Sequence, residues 1–258
     1  MIDLLKRLIR GQRPAQKPRR PRIKPTPLEN HGSQYGGWNI PKGILTHSSV
    51  CYLAGAGEDI SFDVELVEKF KCEVHIVDPT PRARIHFDKL IETSRAGIKF
   101  PVNNSTTEFY TLSSENVDLL HFHDLGLWDE ATTLKFYTPK NLDHVSHSAL
   151  NLQKTKEYFE AKVTNLKQLM IDLNHTHIDL LKIDIEGSEY KVIDSIIRDN
   201  IDIKVLCIEF DEVHQPKDSK YAKRIEDKVT KLISYGMNPV FIDENFNCTF
   251  VKKNLIGN

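Results

Sequence analysis

The sequence is poor in cysteine, and its 258 residues contain no CxxC pair. Four widely separated cysteines are present, two of them within apolar segments that predict strands: Cys51, Cys72, Cys207 and Cys248. This pattern argues against a disulfide-stabilised secreted domain and against a zinc ribbon. It favours buried thiols in a reducing compartment, and we therefore expect a cytoplasmic protein.

Long apolar runs are also missing. No stretch approaches the roughly 20 residues that a membrane-spanning helix needs, and the N-terminus lacks the uninterrupted apolar core of a signal peptide. Hydrophobic residues make up 40% of the sequence and charged residues 28%, as in soluble globular proteins. The length suits one α/β domain with a large core, or two small domains.

The net charge is only −1, but it is unevenly distributed. Residues 1–30 contain nine Lys or Arg residues and two acids, about +7, which leaves about −8 for residues 31–258. An acidic body argues against nucleic acid as a partner. We divide the chain at this change into a basic, Pro-rich flexible tail, residues 1–30, and one domain, residues 31–258.

The tail begins with a short amphipathic segment, MIDLLKRLIR, and continues over residues 11–27 with a stretch rich in Pro, Arg and Lys. Such a stretch is typical of an extended, mobile linker. The tail either makes a weak peripheral contact with the inner face of a membrane or with a partner, or it is solvated and has no fixed role. Ten residues bind little on their own, which favours the second interpretation.

A glycine-rich turn organises the first half of the domain. Residues 50–53 predict a buried strand, and the turn at 55–57 lets the backbone approach a ligand closely. A helix is predicted at 61–70, with its serine as the N-cap, and a second strand at 73–77. Asp78, at the carboxyl end of that strand, is placed to accept both hydroxyls of an adenosine ribose.

The turn departs from the dinucleotide fingerprint G-x-G-x-x-G, because Ile60 stands where the third glycine would be. Glu58 and Asp59 disfavour a bound pyrophosphate and suit a ligand that is cationic near the turn. S-adenosylmethionine, with its sulfonium and ammonium groups, fits such a turn better than NAD or ATP does. An equally good interpretation is that both acids complement the dipole at the N-terminus of the following helix.

The remaining segments alternate between strand and helix patterns. Strands are predicted at 117–122, 178–185 and 205–210, helices at 81–93, 165–173 (capped by Thr164), 188–199 and 218–235, and short strands at 133–137 and 158–163. Residues 239–242 and 248–251 close the chain as an antiparallel pair. This order predicts one α/β domain built on a doubly wound, mostly parallel sheet with helices on both faces.

Each loop that follows a predicted parallel strand carries an acid. Ligands of such sheets bind outside the carboxyl ends of the strands, so six or more carboxylates should converge on one rim. Their mutual repulsion would be offset if a cationic cofactor bound there. The acids are Glu58 and Asp59, Asp78, Asp124, Asp184 and Glu186, and Glu209, Asp211 and Glu212.

Three separated stretches resemble the FkbM family of S-adenosylmethionine-dependent methyltransferases. They are DLLKIDIEGSEYKVI at 179–193, GAGEDISFD at 55–63 followed by DPTP at 78–81, and GLWD at 126–129 followed by TLKFY at 133–137. The resemblance covers the domain but not the tail, and it is specific for the family but not for the substrate. It implies a class I methyltransferase fold, Rossmann-like and ending in an antiparallel strand pair. It also implies O-methylation, often of a sugar or polyketide hydroxyl.

The resemblance further implies roles for individual residues. Gly55, Ala56 and Gly57 would line the methionine part of the cofactor, Asp78 and Pro79 the ribose, and Asp124 and Leu125 the adenine, with Asp184 and Glu186 facing the transferring methyl. This chain has Leu53 where many class I enzymes carry an acid. The methionine ammonium must then be met by Glu58, Asp59, Asp184 or backbone carbonyls, and the sequence leaves that choice open.

A sugar hydroxyl is a poor nucleophile, so a general base should assist its attack. Asp184, Glu186 and His214 follow adjacent strand ends and are the candidate catalytic residues. We favour Asp184 as the group facing cofactor or methyl, Glu186 as the base and His214 as the next choice. Alternatively, Glu186 is a helix-terminal acid and His214 is a structural histidine. These carboxylates could instead hold a divalent cation. No motif supports one, so we predict no metal.

Two groups of histidines have open interpretations. His121 and His123 alternate along a predicted strand, so they are either a metal-binding pair or ordinary half-buried histidines, and spacing fixes no third ligand. Four polar side chains of the 141–151 loop either line an acceptor pocket or form a polar surface: His144, Ser146, His147 and Ser148.

Three functions are therefore compared. The first is an O-methyltransferase that acts on a small-molecule or glycan acceptor. The second is a non-catalytic nucleoside-binding or interaction module of the same fold. The third is an NAD-dependent sugar-modifying enzyme, which the acidic glycine turn disfavours. The sequence leaves the oligomeric state open.

Overall fold

Short apolar strands and amphipathic helices alternate along the chain, and they assemble around one large sheet. A computed structural model describes residues 17–140, 147–151 and 154–256. Its strands are β1 (Leu28–His31), β2 (Trp38–Pro41), β3 (Val50–Ala54), β4 (Glu73–Val77), β5 (Leu120–His123), β6 (Gly126–Leu127), β7 (Thr132–Tyr137), β8 (Tyr158–Thr164), β9 (Ile178–Ile183), β10 (Ile203–Ile208), β11 (Met237–Ile242) and β12 (Cys248–Lys252). Its α-helices are α1 (Ser61–Phe70), α2 (Pro81–Arg95), α3 (Leu166–Asp172), α4 (Glu189–Arg198) and α5 (Tyr221–Tyr235).

The central sheet has seven strands in the order β11-β12-β10-β9-β3-β4-β5. Strands β10, β9, β3, β4 and β5 are parallel, whereas β12 lies between β10 and β11 and runs antiparallel to both. Two smaller sheets flank it, the pair β1-β2 and the three strands β6-β8-β7. The predicted fold class, a doubly wound and mostly parallel α/β sheet, is confirmed.

The alternation of side chains along β3 sends apolar groups into two cores. Cys51 and Leu53 pack with α1 and α2 on one face, and Tyr52 and Ala54 pack with α3, α4 and α5 on the other. The neighbouring strand β9 is buried along its whole length, as expected for a parallel strand covered on both faces. Helices on both sides therefore leave the carboxyl ends of the strands as the open rim of the domain.

Several boundaries differ from the sequence-based prediction. Residues 117–119 form a 3-10 turn instead of a strand, because pairing with β4 begins only at Leu120. Asn165, and not Thr164, caps α3, since its side chain accepts the N–H of Gln168. Ser61 is the first helical residue of α1 and not its N-cap; its hydroxyl oxygen accepts the N–H of Ser33 at 2.7 Å.

The basic segment ahead of the domain makes specific contacts where the structure describes it. The N–H of Lys24 donates to Pro239 O at 2.9 Å, and the guanidinium of Arg20 donates to Asp243 O at 2.7 Å. The predicted division at residue 30 falls inside β1, which pairs with β2. The amphipathic segment at 1–10 lies outside the described residues. Within the described part of the chain, no helix combines the length and hydropathy needed to cross a bilayer.

All four cysteines are buried free thiols, as predicted. The sulfur atoms of Cys51, on β3, and Cys72, which directly precedes β4, lie 3.9 Å apart. Burial raises the pKa of the Cys207 thiol to about 12, which keeps it protonated and unreactive.

Candidate active site

The glycine turn lies directly against the loop that follows β9. Gly55 has φ +85°, and a Cβ added there would lie 1.7 Å from the carbonyl oxygen of Asp184. The N–H of Asp184 donates to Ala54 O at 3.1 Å, and the N–H of Gly55 donates to Val77 O at 3.1 Å. The adjacency of β3 and β9 therefore brings the predicted methionine-binding turn and the predicted methyl-facing loop into contact.

Asp78 fastens the glycine turn to the end of β4. Its Oδ2 accepts the N–H groups of Ala56 (2.8 Å) and Gly57 (3.2 Å). Its Oδ1 accepts the N–H (2.7 Å) and the hydroxyl (2.5 Å) of Thr80. A carboxylate has about four acceptor positions, so these protein donors already occupy them. The ribose-binding role of Asp78 stays a prediction, and a ribose hydroxyl would have to displace one of these donors.

We expect Asp78→Asn to lower the free energy of unfolding by about 2 kcal/mol without any cofactor, because the new amide N–H groups would face buried donors. The matched control is Asp88→Asn, a surface acid paired with Arg84, which should cost less than about 1 kcal/mol. Urea unfolding measures both values. We also expect the variant to lose any thermal shift with S-adenosylmethionine. A variant as stable as the wild type would show that the four hydrogen bonds make no net contribution to the free energy of unfolding.

Glu58 and Asp59, on the turn itself, already have protein partners. Arg82 donates to Glu58 through Nε (2.9 Å) and Nη2 (2.8 Å), a bidentate pair that neutralises its charge. Asp59 accepts the N–H of Ser61 at 3.0 Å, at the start of α1, and the hydroxyl of Ser33 at 2.6 Å. The geometry thus supports the helix-terminal interpretation for Asp59 and leaves Glu58 as one half of an ion pair.

The residues predicted to surround the adenine lie together at the ends of β4 and β5. The N–H of Asp78 donates to His123 O at 3.2 Å, so the two strand ends are adjacent. Pro79 lies beside Gly126, and Leu125 is partly buried against the core under α3 and α4. The Asp124 carboxylate is exposed and forms an ion pair with Arg84 at 2.8 Å.

A buried lysine that the sequence analysis missed lies beneath the turn. Lys182, inside β9, donates to the carbonyl oxygen of Gly55 at 2.7 Å, and its Nζ lies 3.3 Å from Asp184 Oδ2. The charges of Asp184 and Asp63 raise the pKa of this ammonium against the opposing effect of burial. The signal in the sequence was a single cation within the apolar run DLLKIDI. Lys182 therefore fixes the turn and one rim carboxylate in a common position.

Glu209 and His214 complete the rim beyond β10. Burial and the nearby charge of Asp184 raise the pKa of Glu209 to about 8. The Nε2 atom of His214 lies 3.4 Å from Glu209 Oε1, and the imidazole is 43% exposed. His214 is therefore part of the carboxylate cluster and is also accessible to a second substrate.

These features coincide with the region matched by a family comparison. The model of the FkbM methyltransferase domain matches residues 53–235, from the glycine turn to the end of α5. The chain belongs to the FkbM methyltransferase family. Its resemblance to that family in the sequence is thereby confirmed, and the protein is a methyltransferase.

Other comparisons add structural neighbours. No curated protein matches this FkbM chain. Among solved structures, the chain is similar to the fibrillarin pre-rRNA processing protein of Methanococcus jannaschii, with 13% identity and a TM-score of 0.43, over 83% of this chain and 70% of that one. It is also similar to the transferase candidate PH0793 of Pyrococcus horikoshii, with 8% identity and a TM-score of 0.33, over 87% and 70% of the two chains.

Two further acids of the FkbM domain lie together on the rim. Glu186, at φ +55°, forms a side-chain hydrogen bond with Asp211, whose pKa is raised to about 6, chiefly by burial. That hydrogen bond acts to lower the pKa of Asp211 against the larger effect of burial. The prediction that Glu186 is a general base stays a prediction.

The loop proposed as an acceptor pocket reaches the FkbM site through one residue. The hydroxyl of Ser148 donates to Glu186 O at 2.6 Å. The ring of His147 meets Phe159 edge-on at 5.4 Å between centroids. His144 and Ser146 lie outside the described residues, so the pocket stays a prediction.

Tyr35, in the loop between β1 and β2, is a rim residue for which the sequence analysis gave no role. Its side chain is 84% exposed. An exposed aromatic beside the carboxylates is suited to stack on a flat or ring-shaped ligand.

Proposed function

We propose that this FkbM methyltransferase uses S-adenosylmethionine and methylates a hydroxyl of a sugar, a glycan or a glycosylated or polyketide metabolite. The observation that carries the proposal is the cluster of Asp184, Glu209, Glu186 and Asp211, in which repulsion and burial raise the pKa of Glu209 and Asp211. A sulfonium and an ammonium placed among these carboxylates would relieve that repulsion. The same acids would repel the pyrophosphate of NAD.

The residues present fit such a cofactor at its methionine end. Asp184 is one-third exposed beside the glycine turn, and its Oδ2 lies 3.3 Å from Lys182 Nζ. Its carboxylate can therefore accept a hydrogen bond from the cofactor's ammonium as well. When bound, S-adenosylmethionine supplies a methyl group already activated by the sulfonium. The protein then has to orient an acceptor oxygen in line with that methyl and remove its proton.

His214 is the residue best placed to take that proton. It is half exposed at the rim, and Glu209 lies 3.4 Å from its Nε2 and can hold the ring in position. Glu186 is the alternative base, and its side chain is already engaged with Asp211. Four free, buried cysteines support a reducing, cytoplasmic setting for the enzyme.

Binding and turnover together test the proposed function. Purified protein is screened by thermal shift with S-adenosylmethionine, S-adenosylhomocysteine, NADH and ATP. It is then assayed for S-adenosylhomocysteine release with a panel of sugar and glycan hydroxyl acceptors. We expect a shift with the first two compounds and turnover with at least one acceptor. A shift with NADH alone, or none, would overturn the proposal.

The saturated Asp78 carboxylate favours a second candidate, a non-catalytic module of the same fold. If its four donors are not displaced, the ribose lacks its usual acidic partner. No turnover over a broad acceptor panel, whether or not the cofactor binds, would support this second candidate.

For the base, we expect His214→Asn to lower kcat by about 10²- to 10⁴-fold while the affinity for S-adenosylmethionine stays unchanged. Glu186→Gln should lower kcat less than about tenfold if His214 is the base, because Gln keeps the side-chain length and a hydrogen bond to Asp211. His47→Asn, at an exposed histidine before β3, is the matched control and should behave as wild type. A larger loss in Glu186→Gln than in His214→Asn would assign the base to Glu186.

A further inference from the structure

A second group of titratable side chains lies on the face of the central sheet to which Tyr52 belongs. Tyr52, His75 and His121 are register partners on β3, β4 and β5, so their side chains stand in one row across the strands. The ring of His75 stacks on Tyr52 at 5.1 Å and on His121 at 4.8 Å. His175, in the loop between α3 and β9, meets His75 edge-on at 5.0 Å.

Three of the side chains in this area bring possible ligand atoms close together. Glu73 Oε2 lies 3.8 Å from His75 Nε2 and 3.9 Å from His175 Nε2. One ligand atom from each of these residues lies within 4.8 Å of the other two. Around zinc, bonds of about 2.0–2.2 Å place tetrahedral ligands about 3.3–3.5 Å apart. Two changes complete that geometry: the ligand nitrogens of the two histidines, which lie within 4.8 Å of each other, must approach by up to about 1.4 Å, and Glu73 must approach both by about half an ångström. The Glu73 side chain is 52% exposed, so it can make this movement.

The other nitrogen of each ring is already engaged. His75 Nδ1 is 3.1 Å from His123 Nε2, and His175 Nδ1 is 2.6 Å from the hydroxyl of Tyr52. With Nδ1–H donating in both rings, each Nε2 presents a lone pair towards Glu73. Such hydrogen bonds on the far nitrogen are the usual way in which proteins orient histidines that bind metals.

An orphaned atom points independently to a ligand. His75 is only 5% exposed, and its Nε2 is buried without a hydrogen-bond partner in the described structure. The carboxylate of Glu73 is too far away to accept a hydrogen bond from it. A buried nitrogen without a partner is costly, and a cation between it and Glu73 would satisfy both groups.

We propose that Glu73, His75 and His175 bind one divalent transition-metal ion of the zinc class, with an open fourth position for water. Two imidazoles and one carboxylate are a donor set that zinc accepts. The site lies at the start of β4, whereas Asp78 follows its end, roughly 16 Å away at about 3.3 Å per residue. The ion would therefore connect the loop between α3 and β9 to the start of β4, away from the predicted position of the transferring methyl.

Sequence spacing could not find this set, because its members come from the start of one strand and from a distant loop. Of the histidine pair considered from the sequence, His123 orients His75 and His121 stacks on it. Neither belongs to the three proposed ligands.

The test uses full-length, tag-free protein that has been stripped of metal with a chelator. Zn²⁺ is titrated by competition with a chromophoric chelator, and Co²⁺ binding is followed by visible absorption. We expect one equivalent of each ion, with the strong absorption of four-coordinate Co²⁺ and no thiolate charge-transfer band. Zn²⁺ should also raise the melting temperature.

Variants identify the ligands. Glu73→Gln and His175→Gln should weaken Zn²⁺ binding by more than the 10- to 100-fold that we expect for Tyr52→Phe, which removes only an orienting hydrogen bond. His177→Gln, two residues from His175 and 43% exposed, is the matched control and should bind as wild type. Glu73 is exposed, so its substitution should not prevent folding. Absence of one-equivalent binding, unchanged affinity in Glu73→Gln, or a thiolate band from the cysteines would overturn the proposal.

Discussion

Replacing Gly55 by alanine is expected to lower the free energy of unfolding by about 2 to 5 kcal/mol and to abolish cofactor binding. Two separate costs add. A left-handed residue with a Cβ costs about 1 to 2 kcal/mol. In addition, the Cβ would lie 1.7 Å from Asp184 O, so the turn after β3 and the loop after β9 must move apart. Overpacking of this kind costs about 1 to 3 kcal/mol.

Gly43→Ala separates the two costs. Gly43 has φ +73°, but no atom lies within 4 Å of the position that its Cβ would take. This control should therefore lose only the conformational part, about 1 to 2 kcal/mol. Urea unfolding of both variants gives the difference, and titration with S-adenosylhomocysteine gives the binding. Equal losses in the two variants would mean that the contact between Gly55 and Asp184 does not constrain the turn.

Replacing Lys182 by methionine is expected to lower the free energy of unfolding by about 3 kcal/mol or more at pH 8, because the change leaves buried acids without their cation. Lys182 lies beside Asp184. Its positive charge also lowers the pKa of Asp63 and of Glu209, against the effect of burial, which raises both. Methionine keeps the length and most of the volume of the side chain, so the loss measures charge and hydrogen bonding and not packing.

The loss should grow with pH between about 5 and 8. Folding raises the pKa of Asp63 to about 7 and that of Glu209 to about 8, so the folded state binds more protons than the unfolded state in this window. Stability of the wild type therefore falls as pH rises through it. Without Lys182 both pKa values rise further, and the fall becomes steeper. The pKa of Lys182 is itself raised, so its stabilising effect persists throughout this window and disappears only at higher pH.

Unfolding curves at pH 5, 6.5 and 8 measure this dependence. Lys69→Met is the matched control, because Lys69 is 44% exposed and pairs with Glu29 at the surface. Its loss should stay below about 1 kcal/mol at every pH. A Lys182→Met deficit that is the same at pH 5 and pH 8 would contradict a role in neutralising Asp63 and Glu209.

The unit from β3 to β4 could be predicted closely from the sequence, because apolar periodicity and turn chemistry agree over it. The predicted helix at 61–70 and the strand at 73–77 match α1 and β4. The start of β5 could not be predicted. Val117 is apolar and suits a strand. The pairing of β4 with β5, however, begins at Val74 and Leu120, so Val117 has no partner on β4. Register is a property of two strands, and one segment does not reveal it.

The candidate site could be predicted as a position but not as a set of contacts. Parallel strand ends place Gly55 near Asp184 in any sheet of this order, and the structure has them touching. The bidentate pair of Glu58 with Arg82 depends on side-chain rotamers and could not be derived from spacing. The same holds for the four donors that surround Asp78. The roles predicted for these residues in binding the cofactor stay predictions.

The position of β12 has a consequence for how the protein is made. Strand β11 precedes β12 in the sequence, yet it joins the sheet only through β12. A nascent chain that has left the ribosome as far as Ile242 therefore exposes unpaired backbone along β10, ready to pair with another chain. Emergence of Cys248–Lys252 ends this interval by covering β10 and β11 together. Truncation before Cys248 would make the aggregation-prone state permanent.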